Sequence, residues 1–460
     1  VSKLSLPPLM PGGFLFGSGP EAVADPLALY TRAQRTLGDV VRLRGIPGIN
    51  WYLVTHPAGV EHVLKTRGKN YRKPDRFNAP VRMLAGNGIL AAEGDTWLQN
   101  RRLMQPAFHR QRLAGLVTQM AEAAELAAER WDRLAAEGAV VEVGEEMLRL
   151  TLRIVGTTLF SHDLSGEANV LGTAIRTAFQ HVSMRMTMPF APPAWLPTRE
   201  NRRFAAARDV VHRTVDAMIA ERRRSGQQQP DLLQMLLDAR DAETGARMDD
   251  RQVRHEALTL MIAGHETAAA SLSWTWHLLS GNPGAAAKLR EELDAVLGGR
   301  TPGVEDLPRL PYTRAVFDET LRLYPPAWGQ PRESVEEDEI GGYRIPARNI
   351  VMVSQWVTHR RPDLWDRPDA FVPERFVGAG PGTFPPFAYY PFGGGARQCI
   401  GSSFALMEAQ VVLATLAQRF ELESVPGHEV VPDATFTLRP RNGVRMGIRR
   451  RTPSPAAVPA

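Results

Sequence analysis

The chain has 460 residues, 43% of them hydrophobic and 23% charged, a composition that builds a large apolar core and excludes a disordered protein. Lys and Arg number 55 against 50 Asp and Glu, and a net charge of +5 over this length is too small to mark a nucleic-acid binder. The one cysteine, Cys399, excludes an internal disulfide and a Cys-rich zinc site and fits a reducing compartment, so a cytoplasmic protein is expected.

No stretch approaches the ~18 consecutive apolar residues that a membrane-spanning helix requires. The apolar Phe14-Leu15-Phe16 is interrupted by Pro7, Pro8, Pro11, Gly12, Gly13 and Pro20, so no signal-peptide core forms. The chain starts at Val1 and not at Met, and the absence of an anchor is read for these residues alone. To about Leu64, Pro/Gly turns alternate with the β-type runs Val40-Val41-Arg42-Leu43 and Trp51-Tyr52-Leu53-Val54, which predict a small sheet. From Thr96 to about Asp241 the pattern turns helical. Ala121–Leu134 is rich in Ala, Glu and Leu, and Phe204–Arg224 carries apolar residues at three-and-four spacing. Between those helices Met184–Pro197, with Met184, Met186, Met188, Phe190, Trp195 and four prolines, reads as irregular: a mobile apolar lid or a buried connector.

Asp249-Asp250 offers an N-cap for the longest predicted helix, which runs to about Ser280 and is stopped by Gly281-Asn282-Pro283. Helices over Ala285–Leu297 and Tyr312–Tyr324 follow, the second ended by Pro325-Pro326. Ile340–Pro346 and Ile350–Val353 predict a second set of strands. The aperiodic loop Gly378–Phe387 leads to Cys399 and a last long helix, Ser402–Phe420. Thr435–Ile448 reads as two strands joined around Asn442-Gly443, and Pro453–Ala460 as a frayed tail. No internal repeat or Ser/Gly linker divides the chain. The expectation is one mainly helical domain over residues 1–460 with small β-sheets at its margins and its N-terminal β-rich part over 1–64.

Cys399 sits in Pro391-Phe392-Gly393-Gly394-Gly395-Ala396-Arg397-Gln398-Cys399-Ile400-Gly401, just before a strong helix. The glycines let backbone approach a flat group closely, Arg397 adds positive charge, and the helix N-terminus aligns N–H groups, all of which favour a thiolate. Such a residue is a nucleophile, a metal ligand or a buried structural thiol; with no cysteine-hydrolase signature nearby, the ligand reading fits best. Phe392-x-x-Gly395-x-Arg397-x-Cys399-x-Gly401 resembles the haem-thiolate signature of the cytochromes P450, and three further segments match that family in the same order, from about Trp97 to Phe436. The resemblance implies the P450 fold, with the long helix over the haem and the ligand loop before the last long helix. It also implies haem b (iron protoporphyrin IX) as cofactor, Cys399 as the iron ligand, and Phe392, Arg397 and Gly401 beside the haem.

Glu319-Thr320-Leu321-Arg322 places an acid and a base three apart on one helix face, by itself a surface pair of little worth. The family sets a second arginine against such a pair, here Arg375 in Phe371-Val372-Pro373-Glu374-Arg375-Phe376, and the implied cluster fixes the Cys399 loop. Ala263-Gly264-His265-Glu266-Thr267 lies in the middle of the long helix. His265-Glu266 lacks the second histidine of a zinc protease, since Ala269 stands there. Small Ala263 and Gly264 leave room for a diatomic ligand or substrate, and Thr267 and Glu266 are implied to deliver protons for O–O cleavage opposite the thiolate. The plainer reading is that Thr267 bonds the carbonyl of the preceding turn. Trp97-Leu98-Gln99-Asn100-Arg101 resembles the family's Trp-x-x-x-Arg helix, with indole and guanidinium on one face towards the haem propionates. Arg332 and Arg397 match the other propionate arginines. The same basic stretch holds Arg102, Arg110 and Arg112, either a solvated face or one that docks an acidic electron donor.

No Gly-x-Gly-x-x-Gly follows a predicted strand, so electrons are expected from a separate redox partner, a ferredoxin with ferredoxin reductase. Thr267 with Glu266 points to an O2-using monooxygenase that inserts one oxygen atom into a C–H or C=C bond and releases the other as water. The implied contacts with a hydrophobic small-molecule substrate are Leu90, Ala263, Ala327, Trp328, Gly329 and Phe436, all small, apolar or aromatic. Ala-Gly-His-Glu-Thr with Pro-Glu-Arg-Phe resembles the branch of fatty-acid hydroxylases and membrane-type enzymes. Ile49, beside Tyr52, stands where the soluble fatty-acid hydroxylases carry an arginine, which leaves terpenoid, steroid, polyketide and fatty-acid substrates open. The alternatives are a haem-thiolate isomerase, dehydratase or peroxygenase, none of which needs Thr267, and a non-enzymatic haem sensor.

Overall fold

The longest helix, Asp250–Gly281, organises the molecule. In the computed structural model, which describes residues 4–45, 49–188, 191–229, 231–240, 245, 247–380 and 382–451 but not the side chain of Arg110, Asp249 caps this helix by accepting the Gln252 N–H at 2.7 Å. Pro283 opens the next helix, Pro283–Leu297, at its first position. Buried residues occur on every face of the long helix, the signature of an element enclosed by others. It packs most extensively on Val143–Phe160, where Thr151 Oγ1 donates to the His265 carbonyl at 3.1 Å. Arg199–Ser225 lies on Ala168–Thr187, and Val117–Ala136 lies on the last long helix, Ser402–Ala417. Trp131, fully buried, joins these layers with its ring centroid 5.6 Å from those of Trp276 and Phe420.

Five strands form the main sheet in the order Val40–Arg44, Asn50–Val54, Ile350–Val353, Gln330–Ser334, Tyr71–Arg72. The strand Ile350–Val353, expected in a second sheet, instead lies parallel to Asn50–Val54, with Trp51 opposite Ile350 and Val54 opposite Val353. Its buried Val351, Met352 and Val353 fit the centre of a two-faced sheet better than a margin. Asp338–Ile340 and Tyr343–Ile345 form their own hairpin around Gly341-Gly342.

Three other expectations are corrected. Pro26–Leu37 is a helix inside the part read as β-rich, capped by the Asp25 side chain. The helix Ala168–Thr187 continues through Met184 and Met186, whose unbranched side chains suit it, and Trp195 beyond it is 80% exposed, which removes the buried connector. Pro189 and Phe190 of that segment, and the tail Pro453–Ala460, lie outside the described residues. Leu438–Pro440 and Arg445–Arg450 are strands but do not pair across Asn442-Gly443. The Glu142 carboxylate accepts the Val444 N–H at 2.7 Å in that turn, and Arg445–Arg450 passes between Val140–Glu142 and Phe420–Ser424. Leu438–Pro440 pairs with Pro432–Ala434 instead. Among the described residues no helix is long and apolar enough to cross a membrane.

Candidate active site

The turn before Ser402–Ala417 carries Cys399. Its N–H donates to the Phe392 carbonyl at 2.9 Å, and the Gln398 N–H donates to the Gly395 carbonyl at 3.2 Å. Gly395 has φ +65°, and a Cβ there would collide with the Leu64 carbonyl, so at this position glycine lets two protein segments meet. Cys399 is exposed although it lies deep within the protein, which puts its Sγ on an interior hollow. Burial pushes the thiol up; the Gly401 N–H and the Arg101 guanidinium pull it down. The cation that acts on Cys399 is therefore Arg101 and not the expected Arg397, which is turned elsewhere.

Helix Gly94–Met104 presents Trp97 and Arg101 on one face, as their spacing of four requires. Arg101 Nη1 donates to the Gln398 carbonyl at 2.8 Å. Arg397 stacks over the Trp97 ring at 4.5 Å and pairs through Nη2 with Glu93 at 2.8 Å, while its buried Nη1 has no partner among the described residues. Arg332 donates to the Pro331 carbonyl at 2.9 Å and to Gln330 Oε1 at 3.2 Å. Burial, with repulsion from Arg397, holds its guanidinium down to about 10. Lys73 donates to the carbonyls of Ile89 (3.2 Å), Leu90 (2.6 Å) and Ala92 (3.1 Å), and burial, with repulsion from Arg397 and Arg332, holds it down to about 7. Arg332, Arg397 and Lys73 against Glu93 leave an excess of positive charge that a buried anion would offset.

On the long helix Met261, Ile262, His265, Glu266 and Ala268 are buried, but Ala263, Gly264 and Thr267 keep some accessibility. Positions i and i+4 share one face, so Ala263 and Thr267 are accessible on the same side, whereas a Cβ on Gly264 would meet Val155. Thr267 Oγ1 donates to the Ala263 carbonyl at 2.8 Å, the plainer of the two arrangements read from sequence, and keeps its lone pairs free to accept. Glu266 turns away from Thr267, its Oε1 accepting from Thr437 Oγ1 at 3.4 Å, and burial pushes its carboxyl up. His265 is fully buried and held down to about 4.

The Glu319–Arg322–Arg375 cluster is assembled with nearly every hydrogen-bonding group used. Arg322 Nε and Nη2 donate to Glu319 at 2.7 and 2.8 Å, and its remaining N–H groups reach the carbonyls of His359, Pro368 and Ala370. Glu319 Oε1 also accepts from Val372 N–H at 2.9 Å and Arg375 Nε at 3.4 Å. His359 passes the arrangement on: its Nε2 accepts the Tyr390 N–H at 3.0 Å, and the Tyr390 carbonyl accepts the Gly393 N–H at 2.9 Å. Burial, with the neighbouring Arg322, holds His359 down to about 3, so it stays a neutral acceptor.

Leu90 and Phe436 meet at an apolar hollow with Val81, Leu84, Phe179 and Ile262, and the Phe179 and Phe436 rings stack at 4.7 Å. Ala263 follows Ile262 on the same helix. Ala327 is exposed, Gly329 packs beside Met352, and Trp328 donates to the Thr435 carbonyl at 3.0 Å and packs beside Tyr30, so these three are not brought to the hollow by it. Tyr52, near Ile49 in the sequence, is 2% exposed in the sheet core.

The sequence matches the Cytochrome P450 family model over residues 7–445. The chain belongs to the cytochrome P450 family. It is 37% identical over 424 residues to cyclooctatin synthase of Streptomyces melanosporofaciens, covering 91% of this chain and 89% of that protein. It is 35% identical over 437 residues to cyclooctat-9-en-7-ol 5-monooxygenase of the same organism, covering 93% of each. Pentalenene oxygenase of Streptomyces avermitilis is 34% identical over 417 residues, 90% of this chain and 91% of that protein. This P450 is a haem-dependent monooxygenase that uses O2, an organic substrate and a redox partner.

The residues present suit haem. An accessible interior thiol can bind iron, and the unpartnered Arg397 Nη1, together with the buried Arg332, can take carboxylates. Lys73, Glu93, Glu256, Phe179 and His359 were missed in the sequence. Glu93, four residues before Trp97 on the same basic stretch, carried the only local signal; the others act through partners far away in the chain.

Proposed function

We propose that this P450 monooxygenase oxidises a cyclic terpenoid, by hydroxylation or epoxidation, within one catalytic domain formed by the whole chain, with haem b as its cofactor. The observation that supports the substrate class is the apolar character of Leu90, Phe179, Ile262 and Phe436, which close on a hollow of only about 10 Å³ and offer a hydrocarbon skeleton no ion pair. The names of two relatives, which carry pentalenene and cyclooctat-9-en-7-ol, support it.

Haem, when bound, supplies the iron at which O2 is reduced by two electrons and two protons, so that one oxygen atom enters the substrate and the other leaves as water. Cys399 Sγ would be the residue that holds the iron, as a thiolate. Trp97, Arg101, Arg332 and Arg397 would hold the carboxylates of the haem, Phe392 and Gly401 would lie beside it near Cys399, and Glu319, Arg322 and Arg375 would fix the loop. Thr267 Oγ1 would accept and return a proton at the oxygen side, and Glu266, whose burial pushes its carboxyl up, would relay protons to it. Leu90, Ala263 and Phe436 would orient the substrate, while Ala327, Trp328 and Gly329 lie outside the hollow that Leu90 and Phe436 line. A ferredoxin would deliver the electrons near the basic stretch that holds Arg102, Arg110 and Arg112, of which Arg112 is exposed.

Spectral titration of the holoenzyme with pentalenene and with dodecanoic acid tests the substrate class. The terpene should displace water from the iron and yield a product heavier by one oxygen atom. Tighter binding and turnover of dodecanoic acid would overturn the terpenoid reading.

A further inference from the structure

The segment from Gly86 to Ala92, which carries Leu90, is fastened at six points. Lys73 holds the carbonyls of Ile89, Leu90 and Ala92; Asn78 Nδ2 holds that of Ala91; Gln252 Nε2 donates to the Asn87 carbonyl at 3.3 Å; and Glu256 Oε2 accepts the Ile89 N–H at 2.8 Å. Gln252 also donates to Glu256 Oε1 at 2.7 Å, so the long helix presents a prepared acceptor. Gly88 lies so close to that helix that a methyl would run into Thr259 Oγ1 and the His255 carbonyl. Glu256 is fully buried, and its burial pushes the carboxyl up to about 7. A charged or polar pair placed inside the protein to bond one stretch of backbone costs desolvation that plain packing would not.

We propose that Lys73 and Glu256 are positioning residues that clasp Gly86–Ala92 onto the long helix, and so hold Leu90 over the closed hollow of about 10 Å³ that it shares with Phe179 and Phe436, which must widen to admit bulky molecules. The inference rests on that hollow being the substrate site. Leu90 faces Phe179 and Phe436 there, so any movement of the segment changes the space they leave. Neither residue touches the reacting atoms. The clasp shapes access and selectivity by removing backbone freedom from the roof.

The test uses the haem-loaded enzyme with Lys73→Met and Glu256→Leu, and the conservative Lys73→Arg and Glu256→Gln. Hydrogen exchange of the amides between Asn87 and Ala92 should accelerate about tenfold in the first pair, the loss of one or two net hydrogen bonds, and stay within about twofold of wild type in the second. Stopped-flow binding of 4-phenylimidazole to the iron should speed up about fivefold in the first pair, while that of the smaller imidazole stays unchanged. Gly88→Ala, whose methyl pushes the segment off the long helix, should give the same two signatures should either truncation fail to fold. Wild-type exchange and wild-type 4-phenylimidazole rates in a folded truncation would overturn the clasp. Accelerated exchange with unaltered rates for both imidazoles would overturn the gating role and, separately, the placing of the substrate beneath Leu90.

Discussion

At the residue scale the chemistry rests on Thr267 and Cys399. Thr267 Oγ1 is bonded to the Ala263 carbonyl, and removing it leaves the accessible strip without a hydroxyl. Thr267→Ala should therefore raise the fraction of NADPH consumed without product about tenfold, with peroxide released in its place, measured with a ferredoxin system; unchanged coupling would contradict proton delivery from this oxygen. The placements legible in the sequence were local ones, such as Cys399 in its glycine-rich turn before the last long helix and the pair Trp97 and Arg101 on one helical turn. Lys73 and Glu256 were not. Each is an ordinary charged residue until the fold sets a backbone segment between them, and the Glu256 bond to Ile89 joins residues far apart in the chain.

At the element scale, buried charges decide which segments stay together. Arg322 and Glu319 are both fully buried and their charges offset one another, so Glu319→Gln leaves a guanidinium without its counter-charge. Equilibrium unfolding should show a loss of about 3–5 kcal/mol together with faster haem loss, and a change below about 1 kcal/mol would contradict the tie between this cluster and the Cys399 loop. On the last long helix, Glu408 is buried with both oxygens unpartnered among the described residues, and burial pushes it well above the usual carboxylate range. The folded state thus binds this proton more tightly than the unfolded chain. Its contribution to stability is complete at pH below the ordinary carboxylate value and is lost as pH rises towards the folded value. Glu408→Gln should flatten that fall in unfolding experiments across the pH range; an unaltered profile would show that Glu408 ionises without cost. Helix limits were readable because caps are local: Asp249 and Pro283 fix both ends of the long helix. Strand pairing was not, because the parallel match of Asn50–Val54 with Ile350–Val353 has no local trace, and the Glu142 carboxylate that diverts the C-terminal strands comes from the other end of the domain.

At the scale of the whole molecule, the net charge of +5 says little, but its placement gives the proposed electron-donor face its character. Arg112→Glu should raise the KM for ferredoxin several-fold at low ionic strength and much less in high salt, with substrate binding unchanged; salt-independent behaviour would move the donor to another face. The mainly helical fold and the Cys399 loop are legible in the amino-acid sequence, the first because it depends on composition and periodicity and the second because its residues are contiguous. The roof over the hollow and the route from Arg322 through His359 and Tyr390 to the ligand loop emerge only when distant segments pack. The central claim is that Cys399 holds haem iron as a thiolate. The dithionite-reduced, carbon monoxide-treated spectra of wild type and Cys399→Ser test it most directly. The long-wavelength Soret band of thiolate ligation should appear in the wild type and vanish in the variant. Persistence of that band in Cys399→Ser, or a wild type that binds haem without ever showing it, would contradict the account.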